Sequence, residues 1–327
     1  MIGDVSADRE KTPVRRTIAV VAAALVLTGC ASSKGSTASS APSTSGSATS
    51  SAAANGPFSA SGTYGHEPTI TFPAGSTAPT TLVKTTVTEG TGPAVNKGDL
   101  LVAHYVGQVW GAAQPFDSSY KNNAPATFLI GVGKVVPGWD AALVGVKTGS
   151  RVLLSLPPAQ GYGTAGNTTA GIKGTDTIVF VVDVIASYLP TLGGQADAAP
   201  QQAVTPGITI TGALGKKPTL KVAKGTAEPK KASATVLAKG TGEALADGIT
   251  IVQIESVDWS NAPAGSTWTS DGLQSLTIGT GGPLDVLKGT PIGSRILLQL
   301  PKDTSTASAH PALAAVIDIV AQPKMPA

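Results

Sequence analysis

Residues 135–163 read VVPGWDAALVGVKTGSRVLLSLPPAQGYG, a stretch that breaks into a short helix, a buried strand and a Gly-rich flap. Pro137 brings the fixed φ and the missing N–H that suit a first helical position. Trp139, Ala142, Leu143 and Val146 then recur at near-helical spacing, which gives one apolar face. Gly145 and Gly149 offer a stop and a turn, and Val152, Leu154 and Leu156 alternate as a strand that ends at Pro157-Pro158. Beyond it, Gly161-Tyr162-Gly163 places one Tyr on a backbone-rich loop. A Trp floor and a Tyr lip are what a small apolar pocket with one hydrogen-bond donor requires. Taken alone, the stretch fits equally well a Trp that is only core and a Tyr that is only loop.

Working outward, strands are expected near 82–89, 99–109, 127–130, 150–156 and 177–185, with one short helix at 137–144. Alternations such as Val152/Leu154/Leu156 and Ile178/Phe180/Val182 predict a mostly antiparallel, twisted sheet with one face covered. Too many strands surround too little helix for a parallel α/β fold, so the class is α+β. The composition agrees: of 327 residues, 39 are Gly and 24 Pro, which favours strands, turns and linkers over helical bundles.

The same pattern occurs twice. Residues 67–95 align without a gap to 217–245, GSRVLLSLP at 149–157 returns as GSRILLQLP at 293–301, and VVDVIA at 181–186 returns as VIDIVA at 316–321. A period near 150 residues means two copies of a domain rather than a solenoid, whose period runs about 20–50.

The N-terminus reads as a targeting segment. Arg15-Arg16 precede an apolar run at 18–27, far short of the ~20 residues of a membrane span but suited to a signal peptide. It ends in Leu27-Thr28-Gly29-Cys30, a pattern that resembles a bacterial lipobox, in which the Cys is lipidated and becomes the new N-terminus. Cys30 is the only cysteine, so an internal disulfide or a catalytic thiol elsewhere is impossible. The expected organisation is a lipoprotein signal peptide at 1–29, a disordered Ser/Ala/Gly tether at 30–66 and a first domain at 67–189. A linker at 190–213 and a second domain at 214–323 follow. Such a tether has an r.m.s. reach of ~30–35 Å. It would hold the protein outside the cell membrane on a lipidated Cys30.

Several chemistries find no support. Residues 161–166, GYGTAG, match GxGxxG literally, but no amphipathic helix follows to hold a pyrophosphate. His66, His104 and His310 have no metal-ligand spacing, and no GxSxG elbow occurs. His104 reads as a packed histidine in a strand. Neither a metal nor a cofactor is expected. With a net charge of +3 and no basic patch interleaved with aromatics, nucleic acid is not an expected partner.

Six blocks stand in order: His104-Tyr105-Val106-Gly107, residues 114–119 (QPFDSS), residues 128–131 (FLIG), residues 135–139 (VVPGW), residues 161–163 (GYG) and residues 178–180 (IVF). Together they resemble the FKBP-type peptidyl-prolyl cis-trans isomerases, over roughly residues 82–186. The resemblance implies a pocket with Trp139 as floor and Tyr105, Phe116, Val135, Val136, Ile172 and Phe180 as apolar walls. It implies that Tyr162 donates to the carbonyl before the substrate proline, that Asp117 is the polar group at the edge, and that the Val136 N–H holds the carbonyl after the proline. Proline-containing exported polypeptides are the implied substrates, and macrolides are implied ligands. Two positions depart from the family pattern. Asn122 stands where an Arg is common near the Asp, and Ala126 where an aromatic is common. A non-catalytic peptide-binding or chaperone-like lipoprotein is the alternative that these departures keep open.

The second copy retains the scaffold pattern and loses the pocket. Ile254 replaces Tyr105, Trp268 falls near Phe116 with no carboxylate after it, and no GYG follows Pro301. Between Gly279 and Arg295 it is four residues shorter than between Gly131 and Arg151, and it has no Trp there. It is expected to be a degenerate FKBP-like domain without isomerase activity.

Overall fold

The computed structural model describes residues 57–326 apart from positions 123, 204, 269–271 and 306–308; the segment expected to be a signal peptide, Cys30 and residues 31–56 lie outside the described residues. The expected tether reached residue 66, but 57–66 belong to the folded body. There β1 (Ser59–Ser61) pairs antiparallel with β2 (Thr69–Thr71), and Phe58 and Ala60 are buried. The Ser/Gly composition concealed an alternating apolar set, Phe58, Ala60, Ile70 and Phe72, that has a sheet face to cover.

The first domain continues with β3 (Val83–Thr88), β4 (Leu100–Val109), β5 (Pro115–Ser118), β6 (Ala126–Leu129), α1 (Pro137–Leu143), β7 (Arg151–Leu156) and β8 (Ile178–Tyr188). Its strands run β3-β7-β8-β4-β5, all antiparallel, with β6 as a further partner of β4. α1 starts at Pro137 as the missing N–H demands, and Gly145, at φ 85°, follows its end. Trp139, Ala142 and Leu143 are buried against Val152, Leu154 and Leu156 of β7. The opposite face was expected to be open. Instead Leu153, Val179 and Val181 pack beneath the β1–β2 hairpin, which is why every residue of β7 is buried.

A buried ion pair fastens the hairpin to the sheet. Arg151 Nε and Nη2 donate to Asp183 at 2.6 and 2.7 Å, while Nη1 and Nη2 donate to the Gly62 and His66 carbonyls at 2.8 and 2.6 Å. Asp183 also accepts from the Gly65 N–H and the Tyr120 hydroxyl, both at 2.7 Å. Both charges are about 1% exposed, yet each of their polar groups has a partner.

The second domain comprises β9 (Ala199–Pro200), β10 (Ile208–Thr211), β11 (Thr219–Val222), β12 (Ser233–Lys239), β13 (Gly248–Asp258), β14 (Pro263–Ser266), β15 (Gln274–Ile278), β16 (Arg295–Leu300) and β17 (Leu313–Ala321). Its order, β14-β13-β17-β16-β12 with β15 on β13, repeats that of the first domain, with β9 added at the edge. The hairpin β10–β11 repeats β1–β2, so both copies begin before the expected residues 67 and 214. The ion pair recurs as Arg295–Asp318, reaching the Ala213 and Lys216 carbonyls. In place of α1 stands a five-residue 3-10 turn, Pro283–Leu287.

Residues 190–213, expected as a linker, are partly built into this domain. The Gln253 side-chain amide donates to the carbonyls of Pro190 (2.9 Å) and Leu192 (3.0 Å), the Gln195 N–H donates to the Gly293 carbonyl (2.9 Å), and β9 pairs with β12. The Ala/Gln/Gly composition hid backbone groups that find partners only across the fold.

Candidate active site

α1, β4, β6 and β8 bring four aromatic rings to one place. Trp139, 3% exposed, is met edge-on by Phe128 at 4.8 Å between centroids, Phe180 at 5.2 Å and Tyr105 at 5.7 Å. Phe116 from β5 extends the set, edge-on to Phe180 at 5.8 Å. These tilted geometries suit rings whose faces are negative and edges positive. Val135, Val136 and Ile172 pack in the same cluster, and Ile172 is held by reciprocal backbone bonds to Asn167 (2.8 and 2.9 Å). The indole N–H of Trp139 is buried with no acceptor among the described residues.

Polar groups rim this apolar floor. The Tyr105 hydroxyl donates to Asp117, whose other oxygen accepts the Ser118 N–H at 2.8 Å. Burial first, then the bond to Asp117 and its charge, push the Tyr105 phenol well above its usual range, so it stays a donor. The neighbouring Tyr162 adds to that shift. Tyr162 itself, between two 3-10 turns, is 37% exposed, and its hydroxyl is unpaired among the described residues. The Val136 carbonyl accepts from the Trp139 and Asp140 N–H groups, while its own N–H is left free among the described residues.

The structure therefore gathers Trp139, Tyr105, Phe116, Asp117, Val135, Val136, Ile172 and Phe180 around one cluster, with Tyr162 at its exposed rim. Val135 also lines a groove of about 590 Å³ on the outer side of α1, together with Lys97, Pro137 and Val144. Asn122 is exposed at the end of the 3-10 turn Ser119–Asn122, and Tyr105 rather than a cation holds Asp117. Ala126 shares a strand face with Phe128, whose ring meets Trp139.

Three residues carry roles that sequence reasoning did not assign. Phe128 was quoted within a motif, yet only the sheet register turns it towards Trp139. Gly107 allows the Phe116–Phe180 contact, because a Cβ there would lie 2.7 Å from both rings. Asp140, next to Trp139, accepts the Gly131 and Gly133 N–H groups at 2.6 Å each, tying α1 to the loop that leads to Val136. An acid in the first turn of a helix after a Gly-x-Gly loop was the signal available. His104 is packed, stacked on Tyr120 at 4.3 Å and bonded to Ser119, and burial lowers its pKa. Among the described residues no group of His, Cys, Asp and Glu could hold a metal, and no helix is long and apolar enough to cross a membrane.

A sheet folded onto one helix thus carries an aromatic floor with hydrogen-bond donors at its rim. Residues 92–185 match the model of the family described as FKBP-type peptidyl-prolyl cis-trans isomerase. An FK506-binding protein of Streptomyces anulatus is 34% identical over 120 residues, which is 37% of this chain and 96% of that protein. The chloroplastic peptidyl-prolyl cis-trans isomerase FKBP13 of Arabidopsis thaliana is 38% identical over 110 residues, 32% of this chain and 51% of that one. The crystal structure of AtFKBP13 is 35% identical and covers 33% of this chain and 94% of its own, with a TM-score of 0.31. The chain belongs to the FKBP-type peptidyl-prolyl cis-trans isomerases, and it is an enzyme of that class.

Proposed function

We propose that the first domain accelerates X–Pro rotation in exported polypeptides by taking the imide out of water onto the Trp139 floor. Rotation breaks amide resonance against a barrier of ~18–20 kcal/mol. A planar imide is more dipolar than a twisted one, so an apolar, water-excluding site disfavours the ground state more than the transition state. Tyr162 donates to the carbonyl before the proline and the Val136 N–H to the one after it, which holds the chain on both sides of the rotating bond. A 10⁶-fold gain requires roughly 8 kcal/mol, and no nucleophile or proton transfer is needed. The observation that supports this reading best is the box of Tyr105, Phe128 and Phe180 edges around Trp139, beside two uncommitted donors.

The test is a prolyl-peptide isomerisation assay on the full chain with Tyr162→Phe beside it. The parent should accelerate the reaction and the variant should lose about tenfold in kcat/KM, the ~1.4 kcal/mol of one ordinary net hydrogen bond. Peptide binding without acceleration in the parent, or an unchanged variant, refutes the mechanism. A fragment starting at residue 67 is unsuitable, because it lacks Phe58 and Ala60 from the outer core.

The second domain, in this reading, is a degenerate FKBP-like copy. Ile254 occupies the register position of Tyr105, opposite Ile317 as Tyr105 is opposite Val182, and the shorter turn Pro283–Leu287 brings no Trp. This copy should therefore contribute no turnover of its own, and the isomerase activity of the full chain should come from the first site alone. Lipidation of Cys30 would anchor the protein outside the bacterial cell membrane. Cys30→Ala should move it from the membrane fraction to the soluble one, and unchanged retention refutes the anchor. The Streptomyces relative is an FK506-binding protein, which makes macrolides candidate ligands.

A further inference from the structure

The second domain is packed against the first, and the same face of each copy makes the contact. Val102 lies between Thr127 of β6 and Ala186 of β8; Ile251 lies between Ser275 of β15 and Ala321 of β17. Both sets enter one apolar cluster, with Leu100, Leu129 and Ile185 from the first copy and Ile249, Leu273 and Val320 from the second. The Thr127 and Ser275 hydroxyls meet at 3.0 Å. Because these two residues hold the same register position, the interface is isologous, as in a twofold dimer, although both halves lie in one chain.

The contact bears on the pocket through β6. This strand is four residues long and pairs only with β4. Its side chains alternate, so Phe128 faces Trp139 while Thr127 and Leu129 face the second domain. β4 divides in the same way: Leu101 and Ala103 join the pocket core, and Leu100 and Val102 join the interface. The outer side of the strand that carries Phe128 is thus covered by the second copy.

We propose that the second domain is a positioning element of the isomerase, holding β6 so that Phe128 keeps its place against Trp139. This rests on the pocket described under the proposed function. Leu273 and Ser275 are the positioning residues in the second copy; neither belongs to the pocket cluster.

The test uses the full chain with Ser275→Arg and, separately, Leu273→Asp as wedges at the contact. Each should speed hydrogen exchange at 126–129 and at 273–277 while leaving 151–156 protected. Each should also raise KM for a prolyl peptide about tenfold, because a binding wall displaced by a fraction of an ångström binds worse. A loss of folded protein alone would lower the apparent kcat at constant KM, so the split separates the two. Thr127→Cys with Ser275→Cys, in a Cys30→Ala background, should cross-link in the native protein and keep the parent KM. Three results overturn the proposal: faster exchange at 126–129 with an unchanged KM, no change in exchange there with either wedge, or failure of the cysteine pair to cross-link. A parent without isomerase activity would count against the pocket mechanism instead, and exchange at 126–129 would still report on the clamp.

Discussion

The bond from Tyr105 to Asp117 can be isolated from the packing around it. Tyr105→Phe keeps the ring that meets Trp139, Phe128 and Phe180 and deletes only the hydroxyl. Asp117 is exposed, so water competes for it. The bond should then be worth the ordinary net ~1 kcal/mol rather than the ~1.5–3 kcal/mol of a bond to a charged group. That is about fivefold in kcat/KM if the bond matters to the transition state. Asp117→Ala removes the same bond from the other side, together with the Ser118 N–H bond that lies outside the ring cluster, and should cost about the same in kcat/KM. If Asp117 acts by fixing the phenol, the double variant should lose no more than about fivefold, a coupling of ~1 kcal/mol. Initial rates of cis-to-trans conversion of an Xaa-Pro peptide measure all four proteins. A double variant about 25-fold down, the product of the two singles, refutes the reasoning and gives the two groups separate roles.

Three other outcomes follow from the same geometry. Gly107→Ala places a methyl 2.7 Å from Phe116 and Phe180, so the rings must part; overpacking should cost ~1–3 kcal/mol of stability and raise KM. An unchanged urea midpoint and KM would show that the rings adapt freely. Asp183→Asn leaves Arg151 charged in a site where it is 1% exposed, and should cost ~3–5 kcal/mol in denaturant unfolding; a cost below ~1 kcal/mol would show that the pair behaves as a surface one. Burial holds His104 below its unfolded value of 6.5, so the unfolded chain takes up more protons as the pH falls. The stability this contributes is complete above pH 6.5 and is lost as the pH falls through the lowered native value. Gln253 occupies the matching place in the second copy, opposite Asp318 as His104 is opposite Asp183. Tm should therefore fall between about pH 7.5 and 5, and His104→Gln should flatten that slope; an equal slope in both proteins refutes it.

What could be read from the sequence were features carried by neighbours along the chain. Pro137 and the spacing of Trp139, Ala142 and Leu143 set the helix, and the alternation in β7 and β8 set the strands, because period and capping are local properties. The family resemblance carried by the six motif blocks pointed to Tyr105, Phe116, Val135, Val136, Ile172 and Phe180, which pack in one cluster with Trp139. β5 was missed because Pro115 opens a run of only four residues, too short for an alternation to register. The β1–β2 hairpin was lost in Ser- and Gly-rich sequence, since Phe58 and Ala60 acquire meaning only when a second sheet face needs cover.

The tertiary structure decided which groups share a site. Phe128, Gly107 and Asp140 owe their roles to the register of β6, the approach of two rings and the path of one loop, and none of these follows from residue type. The aligned segments led to the expectation of two copies, and the strand order recurs, but the sequence held no sign that the two halves meet through matching faces. That contact joins residues about 150 positions apart. Pairing at such a distance is fixed by the shape and apolarity of two finished surfaces, and those surfaces exist only once each domain has folded.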